Sequence, residues 1–195
     1  MKIFDAVYTA AVLLGLDEIC DGMTSPKFDA LNPKAVLGEE NAKELELLVR
    51  CCNLVLTEVS EAGFPLKAVC SVNVGSDGKI RYTDLPQTPS EIIAVRKGGK
   101  LTPHRAYYDC VTVKVSGECE VEYSFAPPKA VLSGVSAYES GRPSARLIAY
   151  GIAREYCLIS GMTDEAGTWD SRFTTCIEDE TTERREKKVR ARVWR

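Results

Sequence analysis

The apolar residues of this chain change period twice, and no other feature constrains the fold as much. Near the start, Ile3, Val7, Ala10 or Ala11, and Leu14 recur at helical spacing, which predicts a helix over about residues 3–20. From Glu39 the stripe Leu45, Leu48, Val49, Cys52, Val55, Leu56 and Val59 predicts a second helix, with Glu39 and Glu40 at its electropositive start. Between residues 66 and 126 the period falls to two. Cys70, Val72 and Val74 alternate, "GSDG" turns, and Ile80 and Tyr82 resume the alternation. Ile92 to Val95 forms a further strand that runs into "KGGK", where Gly98 and Gly99 suit a tight turn.

Val111 to Phe125 reads as a hairpin. A three-residue connection, Ser116-Gly117-Glu118, would set Val115 opposite Cys119, Val113 opposite Val121 and Val111 opposite Tyr123. Lys114 would then lie opposite Glu120 as a cross-strand charge pair. After the loop "FAPPKAVLSGVSAYESG" the helical period returns. Arg142-Pro143-Ser144 opens a third helix with the proline in its first turn, and Ala145, Ile148, Ile152, Tyr156 and Ile159 share one face. A fourth helix begins at Thr163 or Asp164 with Trp169, Phe173, Cys176 and Ile177 as its buried stripe.

The fold class expected is α+β: helices from both chain ends forming a four-helix group, with an inserted antiparallel β region. The expected divisions are N-terminal helices at 1–65, the β region at 66–126, a helix pair at 127–183 and a basic arm at 184–195.

Chemistry is sparse in the sequence. The eight cysteines lie in apolar-periodic segments without a Cys-x-x-Cys pair, and the single histidine, His104, sits in a turn-like stretch. Buried, reduced thiols fit better than a disulfide framework or a zinc site. The alternating Glu118, Glu120 and Glu122 read as the wet face of a strand. No phosphate loop, dinucleotide fingerprint, nucleophile elbow or zinc motif occurs, so no catalytic, cofactor-binding or metal-ligating residue is assigned. Asp5 and a short apolar run spoil a secretory signal, and no stretch reaches the roughly 20 apolar residues of a membrane span. A cytoplasmic product without membrane attachment is expected.

The closing stretch is different. From Arg184 there are seven positive residues and one negative, in a chain whose formal net charge is only −3. Lys188, Arg190, Arg192 and Trp194 alternate with Val189, Ala191 and Val193, the pattern of an extended strand. Three readings stay open: a solvated terminus, a nucleic-acid hook, and an arm that docks on another protein, the last being preferred.

Several phrases, "YTDLPQTPSEIIAVRKGGK", "VEYSFAPP" and "ARLIAYGIAREYCLISGMTDEAGTWDSRF" with the basic end behind it, come in an order that resembles the head-to-tail connector adaptors of tailed bacteriophages. That class includes tail tubular protein A. The resemblance covers most of residues 40–195 and rests on a Leu-Pro opening to a strand, a strand closing on Tyr and Pro, and a helix pair with Ala and Tyr first and aromatics second. It implies a structural virion or prophage protein, made in the bacterial host cytoplasm, that docks as a homo-oligomeric ring on the portal. Such a ring extends the DNA channel, with DNA as channel content only, and offers a platform to tail components. The protein would be monomeric when alone. The resemblance also implies a partner-binding role for Val189, Arg190, Arg192, Val193 and Trp194. Two other readings compete: a small ligand-binding domain or enzyme built on the β region around His104, Tyr107 and Tyr108, and a nucleic-acid-binding module that uses the basic tail.

Overall fold

In the computed structural model, which describes residues 1–138 and 141–182, Gly15 divides the first helical stripe in two. Its φ of 69° and ψ of 30° are left-handed, a conformation that glycine adopts without steric cost and that stops a helix. The helix expected over 3–20 is therefore two: α1, Ile3–Leu14, and α2, Asp17–Thr24. Helix α3 is Lys34–Ala62, with Gly38 non-helical inside it, so the long regular part opens at Glu39 and Glu40. Helix α4, Ala145–Ile159, starts from Ser144, whose hydroxyl accepts the Leu147 N–H at 3.1 Å. Pro143 thus precedes the cap instead of entering the first turn, because the serine oxygen satisfies an N–H that the first turn leaves open. Helix α5 is Thr163–Thr182. The described residues hold five helices, one more than the four-helix grouping expected, and the break at Gly15 accounts for the difference.

The chain forms two units, one made of Met1–Phe64 with the chain from Pro128 onward, the other of Pro65–Pro127. In the helical unit α4 is the centre and packs against α1, α3 and α5. Its residues Leu147, Ile148, Ala149, Ile152 and Ala153 are wholly buried, so it is apolar on more than one face. Gly151 is the point of closest approach: a Cβ there would lie 2.5 Å from Val55 Cγ1 and 2.9 Å from Phe173 Cε2. The irregular segment after Pro128 is tied down by polar bonds. Asn53 donates to the Ala130 carbonyl at 3.0 Å and accepts the Ala130 N–H at 2.7 Å, while Lys2 bridges to Val135.

The second unit is entirely β apart from a 3-10 turn at Tyr82–Asp84. Its strands are β1 (Leu66–Val74), β2 (Lys79–Arg81), β3 (Pro89–Lys97), β4 (Lys100–Thr102), β5 (His104–Ala106), β6 (Cys110–Val113) and β7 (Gly117–Phe125). They form two antiparallel sheets, in the orders β1-β7-β3-β4 and β2-β6-β5. Both sheets feed one core of Val74, Ile80, Leu85, Val95, Val111, Val113, Cys119, Val121 and Tyr123. Gly98 and Gly99, with φ of 54° and 77°, make the two-residue turn between Lys97 and Lys100.

The hairpin read over Val111–Phe125 does not form. Strand β6 pairs with β2 and β5, whereas β7 pairs with β1 and β3, so the connection 114–116 carries the chain from one sheet to the other. Val113 faces His104, Val121 faces Cys70 and Val95, and Glu120 faces Ser71 and Arg96 in place of Lys114. Alternation assigned each side chain correctly to the core, because both sheets turn their apolar faces to the same interior.

Candidate partner interface

Helix α5 leads to the basic end of the chain, and the described residues show how firmly it is held. Phe173 is 1% exposed, a burial that contributes roughly 1.5–3 kcal/mol. Trp169, expected in the core, is half-buried and stacks on Tyr150 with ring centres 5.9 Å apart, while Arg172 lies over its indole. Cys176 and Ile177 are also half-buried, because α5 packs on α4 alone among the helices with extensive contact. Near the end of α5, the Glu180 carboxylate accepts the Ser144 N–H at 3.1 Å. Val189, Arg190, Arg192, Val193 and Trp194, the residues assigned to docking, lie outside the described residues.

At the middle of the helix group a single cation joins three helices. Arg154 of α4 is 11% exposed and forks onto Glu58 of α3, onto its neighbour Glu155, and onto Asp170 of α5 at 3.1 Å. Its guanidinium also lies 4.7 Å from the centre of the Phe173 ring. Burial alone would lower its pKa, but the hydrogen bond and charge of Glu58, followed by Asp170 and Glu155, more than reverse this. Sequence reasoning missed the network. Its one local signal is the charged pair Arg154-Glu155 in the otherwise apolar run "LIAYGIAREYCLI".

The β unit presents a long edge at β1. Strand β1 has nine residues and hydrogen-bonds only to β7 among the described strands, whereas β2, β4 and β5 at the other sheet edges have three each. Short edges resist pairing with foreign chains, and a long one invites it. Leu66, Ala68, Cys70 and Val72 face inward but stay half-buried, and Val69 on the outer face is 61% exposed. Across the outer face, Asn73, Ser71 and Val69 stand beside Glu118, Glu120 and Glu122 of β7. Glu122 is paired with Arg96 at 2.8 Å. No ion pair among the described residues engages Glu118 or Glu120.

Concavities also mark the described surface. A hollow of about 670 Å³ in the β unit is lined by Lys79, Arg81, Thr83, Tyr107, Asp109, Cys110 and Thr112. Of the residues read as a possible ligand site only Tyr107 reaches it; His104 is half-buried on β5 and Tyr108 is fully exposed. Burial and then Asp109 raise the Cys110 thiol above its ordinary pKa, the opposite of what activates a nucleophile. In the helical unit a groove of about 600 Å³ runs between the 30–34 loop, α3 and residues 129–132, with Leu31 83% and Val131 56% exposed.

All eight cysteines are free thiols. Burial, then the charge of Glu155, pushes Cys51 up to about 11, and burial, then Cys51, pushes Cys52 up to about 12. No helix among the described residues is long and apolar enough to cross a membrane. The sequence matches no protein-family model and no curated protein.

Proposed function

We propose that the chain is a head-to-tail connector adaptor of a tailed bacteriophage or prophage. It docks on the portal as a ring of copies, extends the DNA channel and presents a surface to tail components. The observation that carries this reading is the β unit inserted between two helical halves, with a nine-residue edge strand left open among the described residues. A long open edge suits a chain whose work is to bind other chains, and the alternating basic sequence suits the same work. The resemblance in the order of helices, β region, helix pair and Arg/Trp-bearing end supports the particular class.

The test is electron microscopy of the protein mixed with the portal of the same phage. Rings seated on the portal by the full chain, and none by a chain lacking residues 184–195, are the expected result. Full assembly by the shortened chain would refute the docking role of Val189, Arg190, Arg192, Val193 and Trp194. A second reading draws on the hollow beside Tyr107, where Lys79 and Arg81 suit a small anion. Saturable binding of inorganic phosphate that disappears in Lys79→Glu, together with failure to assemble on the portal, would favour it.

A further inference from the structure

We infer that the acceptor for the basic end is the open edge of β1 on a second copy of this chain, an inference that rests on the docking-arm reading. The occupant is residues 188–194, which lie in the thirteen-residue stretch beyond the described helix α5. The pairing is antiparallel, with Arg192 opposite Ser71.

Three features of the edge select this pairing. In that register Val189, Ala191 and Val193 fall opposite Val74, Val72 and Cys70 and complete the inner face, where Cys70 and Val72 are left half-buried. On the outer face Arg190 and Arg192 fall opposite Asn73 and Ser71, which stand beside Glu118 and Glu120. The backbones of the arm and β7 would be roughly 10 Å apart, two strand spacings, a gap that an extended arginine and a glutamate close together over the short side chains of β1. Trp194 then covers Val69, 61% exposed, next to the already paired Glu122. A parallel arm with Arg192 beside Ser71 would set Lys188 against Lys67 and move Trp194 off Val69. Donation from each copy to the next is a heterologous contact, which generates a ring when the rotation closes.

The experiment mixes two full-length variants, Ser71→Cys and Arg192→Cys, with the portal under mild oxidation, and takes Thr83→Cys plus Arg192→Cys as a control away from the edge. Ser71 and Thr83 are exposed, so neither change threatens folding. The expected product is a covalent pair at twice the 21.4 kDa chain mass in which mass spectrometry maps a 71–192 link, in clear excess over the control. Glu118→Lys in the Ser71→Cys chain should lower its yield about fivefold, and Arg190→Glu in the partner chain should restore it. No link above the control overturns the inference. So does a 71–192 link that forms only within a single chain when both cysteines are placed in it. Rings on the portal without the link would retire the β1 acceptor and keep the adaptor reading; the link without portal assembly would do the reverse.

Discussion

Replacing Arg154 by methionine removes a cation that joins α3, α4 and α5 and leaves Glu58, Glu155 and Asp170 facing one another. Breaking a buried ion pair on one side typically costs about 3–5 kcal/mol. Here Glu58 and Asp170 are 43% and 55% exposed and regain water when the arginine is gone, which brings the expected loss down to about 2–3 kcal/mol. The stacking of Arg154 on Phe173 disappears with the charge, but the methionine stem keeps the apolar contact, so packing is not the main loss. A loss of that size lowers the melting temperature by roughly 5–10 °C. The chain has two tryptophans, and Trp194→Phe leaves Trp169, which stacks between α4 and α5, as the only reporter. Urea unfolding followed by its fluorescence should show Arg154→Met shifted by the full amount and Arg154→Lys by about half, since lysine keeps the charge and loses the fork. A methionine variant within about 0.5 kcal/mol of the parent would refute the reasoning and show the network to be no better than a surface pair.

Gly151→Ala should destabilise the helical unit by about 1–3 kcal/mol despite the better helix propensity of alanine, since the new Cβ meets Val55 at 2.5 Å. Val55→Ala should recover part of that loss when combined with it, and a Gly151→Ala protein as stable as the parent would remove the close-approach argument. Alkaline pH should weaken the fold through Cys51 and Cys52, whose thiols stay protonated in the folded chain to about 11 and about 12 but ionise at 9.0 when it opens. Their contribution is complete below pH 9 and is lost as pH rises toward those values, with a slope of about 1.4 kcal/mol per pH unit for each thiol. Urea midpoints from pH 8 to 10.5 should fall steeply for the parent and less for Cys51→Ala/Cys52→Ala, and equal slopes would sink the assignment.

What was legible in the sequence is what depends on neighbours along the chain. The stripe from Leu45 to Val59 is a helix because residues three and four apart share a face whatever that face meets. The α+β class follows from the same rule, as does the turn at Gly98 and Gly99, which only needs two positive φ angles. Strand partners are another matter. Val113 and Val121 alternate into one core from opposite sheets, and nothing within residues 111–125 says that β6 will find β2 and β5 while β7 finds β1 and β3. Sidedness is local, whereas pairing is settled by competition among all the strands.

The same division governs the interface. The arm is proposed because its two sides differ in chemistry over seven consecutive residues of the sequence, whereas being last in a sheet is a property of the order of strands that no local pattern carries. Arg154 illustrates the limit from inside the helical unit: Glu155 is adjacent, Asp170 is sixteen residues on, and Glu58 is ninety-six residues back. A charge in an apolar helix announces that some partner exists without saying where. An alternating basic sequence makes the same kind of announcement. For Arg154 the tertiary structure supplies three carboxylates on two other helices and its own. For the arm proposed above, the matching feature is an open strand bordered by two glutamates with no ion pair among the described residues, and that match is why a second copy is the partner worth testing first.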